Sequence, residues 1–323
     1  MLILGHDDVL AALSPEECAE AMADVLAAHA RGEALMPLRS VASFEGAAGV
    51  LGTMPAWRGG SDPVFSLKSV CVMPGNPARG LDAHQGIVML FDGSTGVPWA
   101  MLDASAVTAV RTAAVSAVAT RLLARPDARV LAILGAGVQA RSHLRALPSV
   151  REFDEVRVYA PSREHAHAVA SLADGRGAVA PSAEEAVRGA DVVVLATSSR
   201  EPVLSRRWLA PGTHVNAVGA SQPSARELDL ETVAASALFC DSRESLRNEA
   251  AEFRLAIEQG AIGGEDHVRA ELGEVLAGLS PGRLTAQELT VFRALGLAVE
   301  DLAAAERAIA RARKLGIGTE VEL

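Results

Sequence analysis

The stretch Val130 to Ala140, VLAILGAGVQA, decides how the chain is read. An apolar run of Val130, Leu131, Ile133 and Leu134 meets Gly135-Ala136-Gly137 and passes through Val138-Gln139-Ala140 into a helical pattern. A buried strand that turns through close-set glycines into a helix is built to hold a pyrophosphate. Gly135 permits the tight turn, Gly137 lets the backbone approach the phosphates, and the small Ala140 lets helix and strand pack closely. The helix start supplies free N–H groups and a partial positive charge. Gly135, Gly137, Val138 and Gln139 are therefore expected to bind a dinucleotide.

Strands alternating with helices surround this turn. Val156 to Tyr159 reads as a second strand and Ser162 to Leu172 as a second helix. Ser182-Ala183-Glu184-Glu185 is a capping box, and Asp191 to Thr197 and His214 to Gly219 are further buried strands. That alternation implies an α/β fold with a doubly wound parallel sheet. Upstream, residues 36 to 103 hold short β-like runs broken by turns such as Pro74-Gly75-Asn76-Pro77 and Asp92-Gly93-Ser94-Thr95-Gly96. These predict an antiparallel sheet with hairpins. Ser14-Pro15-Glu16-Glu17 opens a helix that Gly32 closes, and another helix is expected from about Ser105 to Ala124. After Asp241 the pattern reads as mostly helical, with a long Ala-rich helix from about Val291 to Lys314.

Half of the 323 residues are hydrophobic and 22% are charged, which is a globular composition. A net charge of −10 argues against general affinity for nucleic acid or anionic membrane, while leaving room for a local basic pocket. Cys18, Cys71 and Cys240 lie far apart with no C-x-x-C spacing, so no metal site is expected and a reduced, cytoplasmic setting is. No signal peptide is expected at the N-terminus, and no apolar run is expected to be long enough to span a bilayer.

Several polar residues stand where chemistry could use them. Lys68 alternates with Leu67 and follows Phe65 on a β-like run, as either a pocket residue or an outward strand lysine. Arg39, and Arg111 early in its helix, fit an anion clamp or surface ion pairs. Read alone, Met54 fits a core position and His84 a surface loop.

Taken together, Met36-Pro37-Leu38-Arg39, Lys68, Thr108-Ala109-Val110-Arg111-Thr112-Ala113-Ala114, the glycine turn, Val215 to Ser221 and Thr290 to Asp301 resemble the ornithine cyclodeaminase/mu-crystallin family. The resemblance runs from about residue 36 to 305 and is nearest to the ketimine reductase branch. It implies a Rossmann-type domain, 116–299, inserted into an α+β domain made of 1–115 and 300–323. The antiparallel sheet of that second domain would close a homodimer. It also implies hydride transfer between a nicotinamide ring and an α-amino or α-imino acid. Arg39 and Arg111 match carboxylate-binding arginines, Lys68 matches a substrate contact that serves as proton donor or electrostatic partner, and Met54 matches a pocket-lining position. His84 matches a position beside the cofactor. The expected cofactor set is completed by Arg111, Thr112, Ser162, Arg163, Thr197, Val218 and Gly219.

Departures refine the expectation. Cyclodeaminases and archaeal alanine dehydrogenases of the family carry Asp where this chain has Ser221. Serine cannot act as a base there at neutral pH, so reduction of a preformed imine is favoured over cyclising deamination, with Lys68 and a water held near Ser221 as the expected catalytic pair. A strand ending Tyr159-Ala160-Pro161-Ser162-Arg163, with no carboxylate before Glu164, favours a 2′-phosphate over a bare ribose. NADPH is thus the expected cofactor, with NADH as the alternative. Glu249 matches a ligand-facing position but fits a helix-surface carboxylate as well, and Ala251-Glu252 replaces the Gly-Asp common in the family. The expected activity is reduction of a small cyclic ketimine such as Δ1-pyrroline-2-carboxylate or Δ1-piperideine-2-carboxylate. The alternatives weighed are an ornithine cyclodeaminase or alanine-type dehydrogenase using NAD, and an NADPH-dependent small-ligand-binding protein like mu-crystallin.

Overall fold

The computed structural model describes residues 1–220 and 224–322. The chain divides into two units, Met1–Arg111 with Leu297–Leu323, and Thr112–Gly296.

The first unit opens with β1 (Leu2–Leu4), α1 (His6–Ala12) and α2 (Pro15–Ala30). Ser14 caps α2 by accepting the Glu17 amide at 3.2 Å, and Pro15 presets the first turn. Cys18, Met22, Val25 and Leu26 form its buried stripe. The strands β2 (Ala34–Leu35), β3 (Ser40–Ser43), β4 (Val50–Arg58), β5 (Val64–Val72), β6 (His84–Asp92) and β7 (Pro98–Asp103) follow. β4 to β7 pair as an antiparallel meander, β3 and β2 pair with β4, and β1 adds parallel to β7. On β5 the buried face carries Val64, Ser66, Lys68 and Val70, while Phe65 on the opposite face is exposed.

α3 (Ala104–Leu123) carries the chain across the boundary into the second unit. By length and composition it could cross a membrane, contrary to the expectation that no apolar run is long enough. Most of it is buried, as in the core helix of a globular protein.

The second unit contains β8 (Val130–Leu134), α4 (Val138–Ala146), β9 (Glu155–Tyr159), α5 (Arg163–Ala170), β10 (Gly177–Val179), α6 (Ala183–Val187), β11 (Val192–Leu195) and β12 (His214–Ala217). It continues through α7 (Leu230–Ala235), β13 (Ala237–Cys240), α8 (Arg243–Glu249), α9 (Ala251–Glu258), β14 (Val268–Glu271), α10 (Leu272–Leu276) and β15 (Thr290–Arg293). All eight strands are parallel, in the order β10-β9-β8-β11-β12-β15-β13-β14. Leu131 and Ile133 belong to one apolar cluster, with α4 and α5 residues, while Ala132 and Leu134 belong to another, with α6, α7 and α9. Helices on both faces make the sheet doubly wound, and the order reverses between β8 and β11, the switch point where such sheets bind ligands.

α11 (Ala298–Leu315) and β16 (Thr319–Glu320) return to the first unit. α11 packs on α2 and the buried face of β4 to β6, and β16 pairs antiparallel with β1. The expected helix from Val291 is corrected here. Residues 290–293 are a buried strand between β12 and β13, and the helix begins only after Gly296, whose φ is +82°. A four-residue apolar strand running into an Ala-rich segment has no period that separates it from helix.

Candidate active site

In the first unit, a single cross-strand row holds Leu4, Leu102, Val88, Lys68 and Met54 abreast. All five are buried, and Lys68, 3% exposed, is the one polar member. A buried ammonium is tolerated only with partners. Its Nζ donates to Asp301 Oδ1 at 2.9 Å and to Thr108 Oγ1 at 2.6 Å. The Thr108 hydroxyl in turn donates to Ala104 O. Arg111, also buried, donates from Nε to the same Asp301 oxygen at 3.1 Å and from Nη1 to Glu300 Oε2 at 3.0 Å. Glu300 Oε2 also accepts the Leu297 amide at the start of α11, so two successive acids of that first turn face the two cations.

Burial is the main influence on Lys68 and lowers its pKa from 10.5 to about 8. Asp301 opposes the fall, while Arg111 and Arg39 add to it. Burial alone would raise the Asp301 carboxyl, but Lys68 and Arg111 outweigh it and hold it below the usual carboxylate range. Asp301 Oδ2 is buried with no donor among the described residues. His84 lies at the start of β6, in strand rather than loop. Desolvation, then the charges of Lys68 and Arg111, lower its pKa, with Arg39 adding to this and Asp82 opposing it. Lys68, Arg111, His84 and Arg39 are thus brought into one electrostatic neighbourhood, with Met54 opposite Lys68 on β4. Asp301, Glu300 and Thr108 belong to it as well. Sequence reasoning gave them no role, because acids in a first helical turn are ordinary helix-dipole partners.

In the second unit, Gly135 ends β8 with φ +124°, a conformation that favours glycine, and its amide donates to Tyr159 O at 2.9 Å. A Cβ there would lie 2.3 Å from Ala196 O, so the turn also requires the close approach of β8 to the end of β11. At Gly137 an added Cβ would meet no protein atom within 4 Å. Packing therefore does not demand glycine at that position, which fits the close approach of a phosphate. Gly137 caps α4 with no side-chain bond, and Val138 and Gln139 form its first turn, while Ala140 is fully buried. This cradle fits a dinucleotide pyrophosphate.

Ser162 and Arg163 follow the neighbouring strand β9. The Ser162 hydroxyl accepts the His165 amide at 3.2 Å, leaving its own hydrogen to donate. Thr197, Val218 and Gly219 stand just past the ends of β11 and β12, on the same edge of the sheet. Thr112 is buried in α3, at the first position of this unit. Ser221 lies outside the described residues.

A parallel doubly wound sheet with this glycine turn, carried by a chain whose other unit clusters a buried lysine and arginine, defines a nicotinamide-nucleotide oxidoreductase of the Rossmann class. The family model for the ornithine cyclodeaminase/mu-crystallin family matches residues 2–314, and the chain belongs to that family. It is 43% identical over 275 residues to the ketimine reductase mu-crystallin of Mus musculus, covering 85% of this chain and 84% of the mouse protein. The Δ1-pyrroline-2-carboxylate reductase of Thermococcus litoralis, solved with NADH and L-proline, superposes with a TM-score of 0.95. It is 36% identical, covering 99% of this chain and all of that one. An archaeal alanine dehydrogenase dimer with bound NAD gives a TM-score of 0.93 at 36% identity, covering 100% of this chain and 99% of that one.

Proposed function

We propose that the protein reduces a small cyclic α-imino carboxylate, such as Δ1-pyrroline-2-carboxylate or Δ1-piperideine-2-carboxylate, to the L-amino acid. The observation that carries this reading is the buried Lys68 ammonium, held beside Arg111 by one shared oxygen of Asp301. An imine needs a proton at nitrogen as its α-carbon takes a hydride, and it brings a carboxylate to be oriented. When bound, the reduced nicotinamide supplies the hydride. Lys68 has two partners among the described residues, which leaves one ammonium hydrogen to give. A pKa near 8 makes it an effective acid close to neutral pH. Arg39 and Arg111 hold the carboxylate through charge-assisted bonds, and Met54 lines the pocket beside Lys68.

NADPH is the proposed cofactor, with NADH able to replace it. The support is Ser162 and Arg163 at the start of α5, just past the end of β9, where no acid stands as in NAD-type domains. The protein is proposed to act as a homodimer in the cytoplasm. Phe65 at 46%, Val41 at 56% and Phe44 at 67% exposure give the sheet region an apolar outer surface that a second copy would cover.

A spectrophotometric panel of cyclic and linear imino acids, run with NADPH and NADH in parallel, tests the assignment. Cyclic ketimines should give turnover, faster with NADPH. Ammonia release from L-ornithine with NAD⁺, or L-alanine oxidation as the only activity, would displace the proposal. Tight nucleotide binding without any turnover would favour a ligand-binding role.

A further inference from the structure

The end of β12 is gripped by side chains that no step above uses. Glu227 is 1% exposed. Its Oε1 accepts the Thr197 amide at 2.8 Å and the Thr197 hydroxyl at 2.7 Å, and its Oε2 accepts the Gly219 amide at 2.7 Å. One buried carboxylate thus ties the end of β11 to the end of β12. The two backbones meet so closely that a Cβ on Gly219 would lie 2.1 Å from Thr197 O.

From β15 comes a second grip. Arg293, also 1% exposed, donates from Nη1 to Ala217 O at 3.1 Å and Ala294 O at 2.9 Å, and from Nη2 to Ala220 O. Its Nε donates to Glu252 Oε1 at 2.5 Å, and Glu252 is equally buried. Glu252 belongs to the Ala251-Glu252 pair that departs from the family's Gly-Asp. Burial raises the Glu227 carboxyl, while its Thr197 bonds, the Arg293 charge and the Gly219 amide pull it down. A buried ion pair contributes little stability beyond what apolar packing would, so stability alone does not account for this apparatus.

We propose that Glu227 and Arg293, with Glu252 behind Arg293, are positioning residues for the nicotinamide half of the cofactor. They hold Thr197 and the Ala217–Ala220 backbone as a fixed wall at the ends of β11 and β12. The inference rests on the cofactor reading under Proposed function.

Glu227→Gln tests it. The amide can keep an oxygen toward Thr197, but it then presents NH₂ to the Gly219 N–H, donor against donor. Expected are a rise of about tenfold or more in the Kd and KM for NADPH, read by nucleotide fluorescence and initial rates, and an imino-acid KM changed less than about twofold at saturating cofactor. Thermal melting of the nucleotide-free protein is measured in parallel. Glu252→Gln, which frees Arg293 without touching Glu227, should weaken NADPH binding in the same sense and serves if Glu227→Gln does not fold. A folded variant that binds NADPH as wild type does, or one that only melts earlier while its folded fraction binds normally, would overturn the inference alone. A wild-type protein that binds neither NADPH nor NADH would overturn the cofactor reading, and this inference with it.

Discussion

Replacing Asp301 by Asn removes the one carboxylate that Lys68 and Arg111 share, with almost no change of shape. At 2.9 Å and an effective dielectric near 20, a unit charge is worth on the order of 5 kcal/mol to Lys68. The Asn oxygen still accepts a hydrogen bond, so we take the net loss as about 3 kcal/mol, or about two pH units in the titration of Lys68. The sign follows from the donor's identity. The ammonium gives the proton, so imine reduction slows as pH rises through the lysine pKa. In the wild-type protein that fall is expected near pH 8. In Asp301→Asn it should be centred near pH 6, so turnover at pH 7.5 drops roughly twentyfold and recovers substantially at about pH 5.5. The assay is kcat against pH at saturating substrate and cofactor. A uniform loss at every pH, or a fall still centred near 8, would refute the electrostatic role.

Lys68→Ala should lose about 10² to 10⁴ in turnover while its NADPH Kd, by fluorescence titration, stays within about threefold. Equal loss of both would remove Lys68 from proton transfer. Gly135→Ala forces an L side chain into φ +124° and against Ala196 O. It should cost about 2–4 kcal/mol in denaturant unfolding, together with nucleotide binding, and wild-type melting would show that the turn relaxes freely. Changing Ser162 and Arg163 together to Ala should raise the KM for NADPH about tenfold or more and leave that for NADH nearly unchanged. A parallel rise for both would mean that neither residue meets the 2′-phosphate.

The nucleotide unit is well marked in sequence because its requirements are local. The Gly135 turn, the apolar strands and the caps at Ser162 and Ser182 each act within a few residues. The lysine cluster is only half legible. Lys68 breaks an apolar β run, which signals that it needs a partner somewhere. That partner lies 233 residues away, in a helix whose first-turn acids look ordinary. Thr290 to Arg293 was hidden differently, because a four-residue buried strand has too few positions to show a period against helix. The face of β5 is a further case. Its large aromatic Phe65 points outward, while the inner face carries smaller residues and the lysine, so residue size alone misleads about which side is core.

The long span between Lys68 and Asp301 also constrains how the chain is born. On the ribosome, β5 emerges with its lysine long before α11, and until α11 arrives the meander has neither its covering helix nor the counter-charge for its buried ammonium. The residues between, 112–296, form a contiguous unit with its own apolar clusters and can close first. Assembly is therefore expected to run out of chain order: unit 112–296 can close on local contacts, while the β5–α11 pairing, with its high contact order, is completed only once α11 is made.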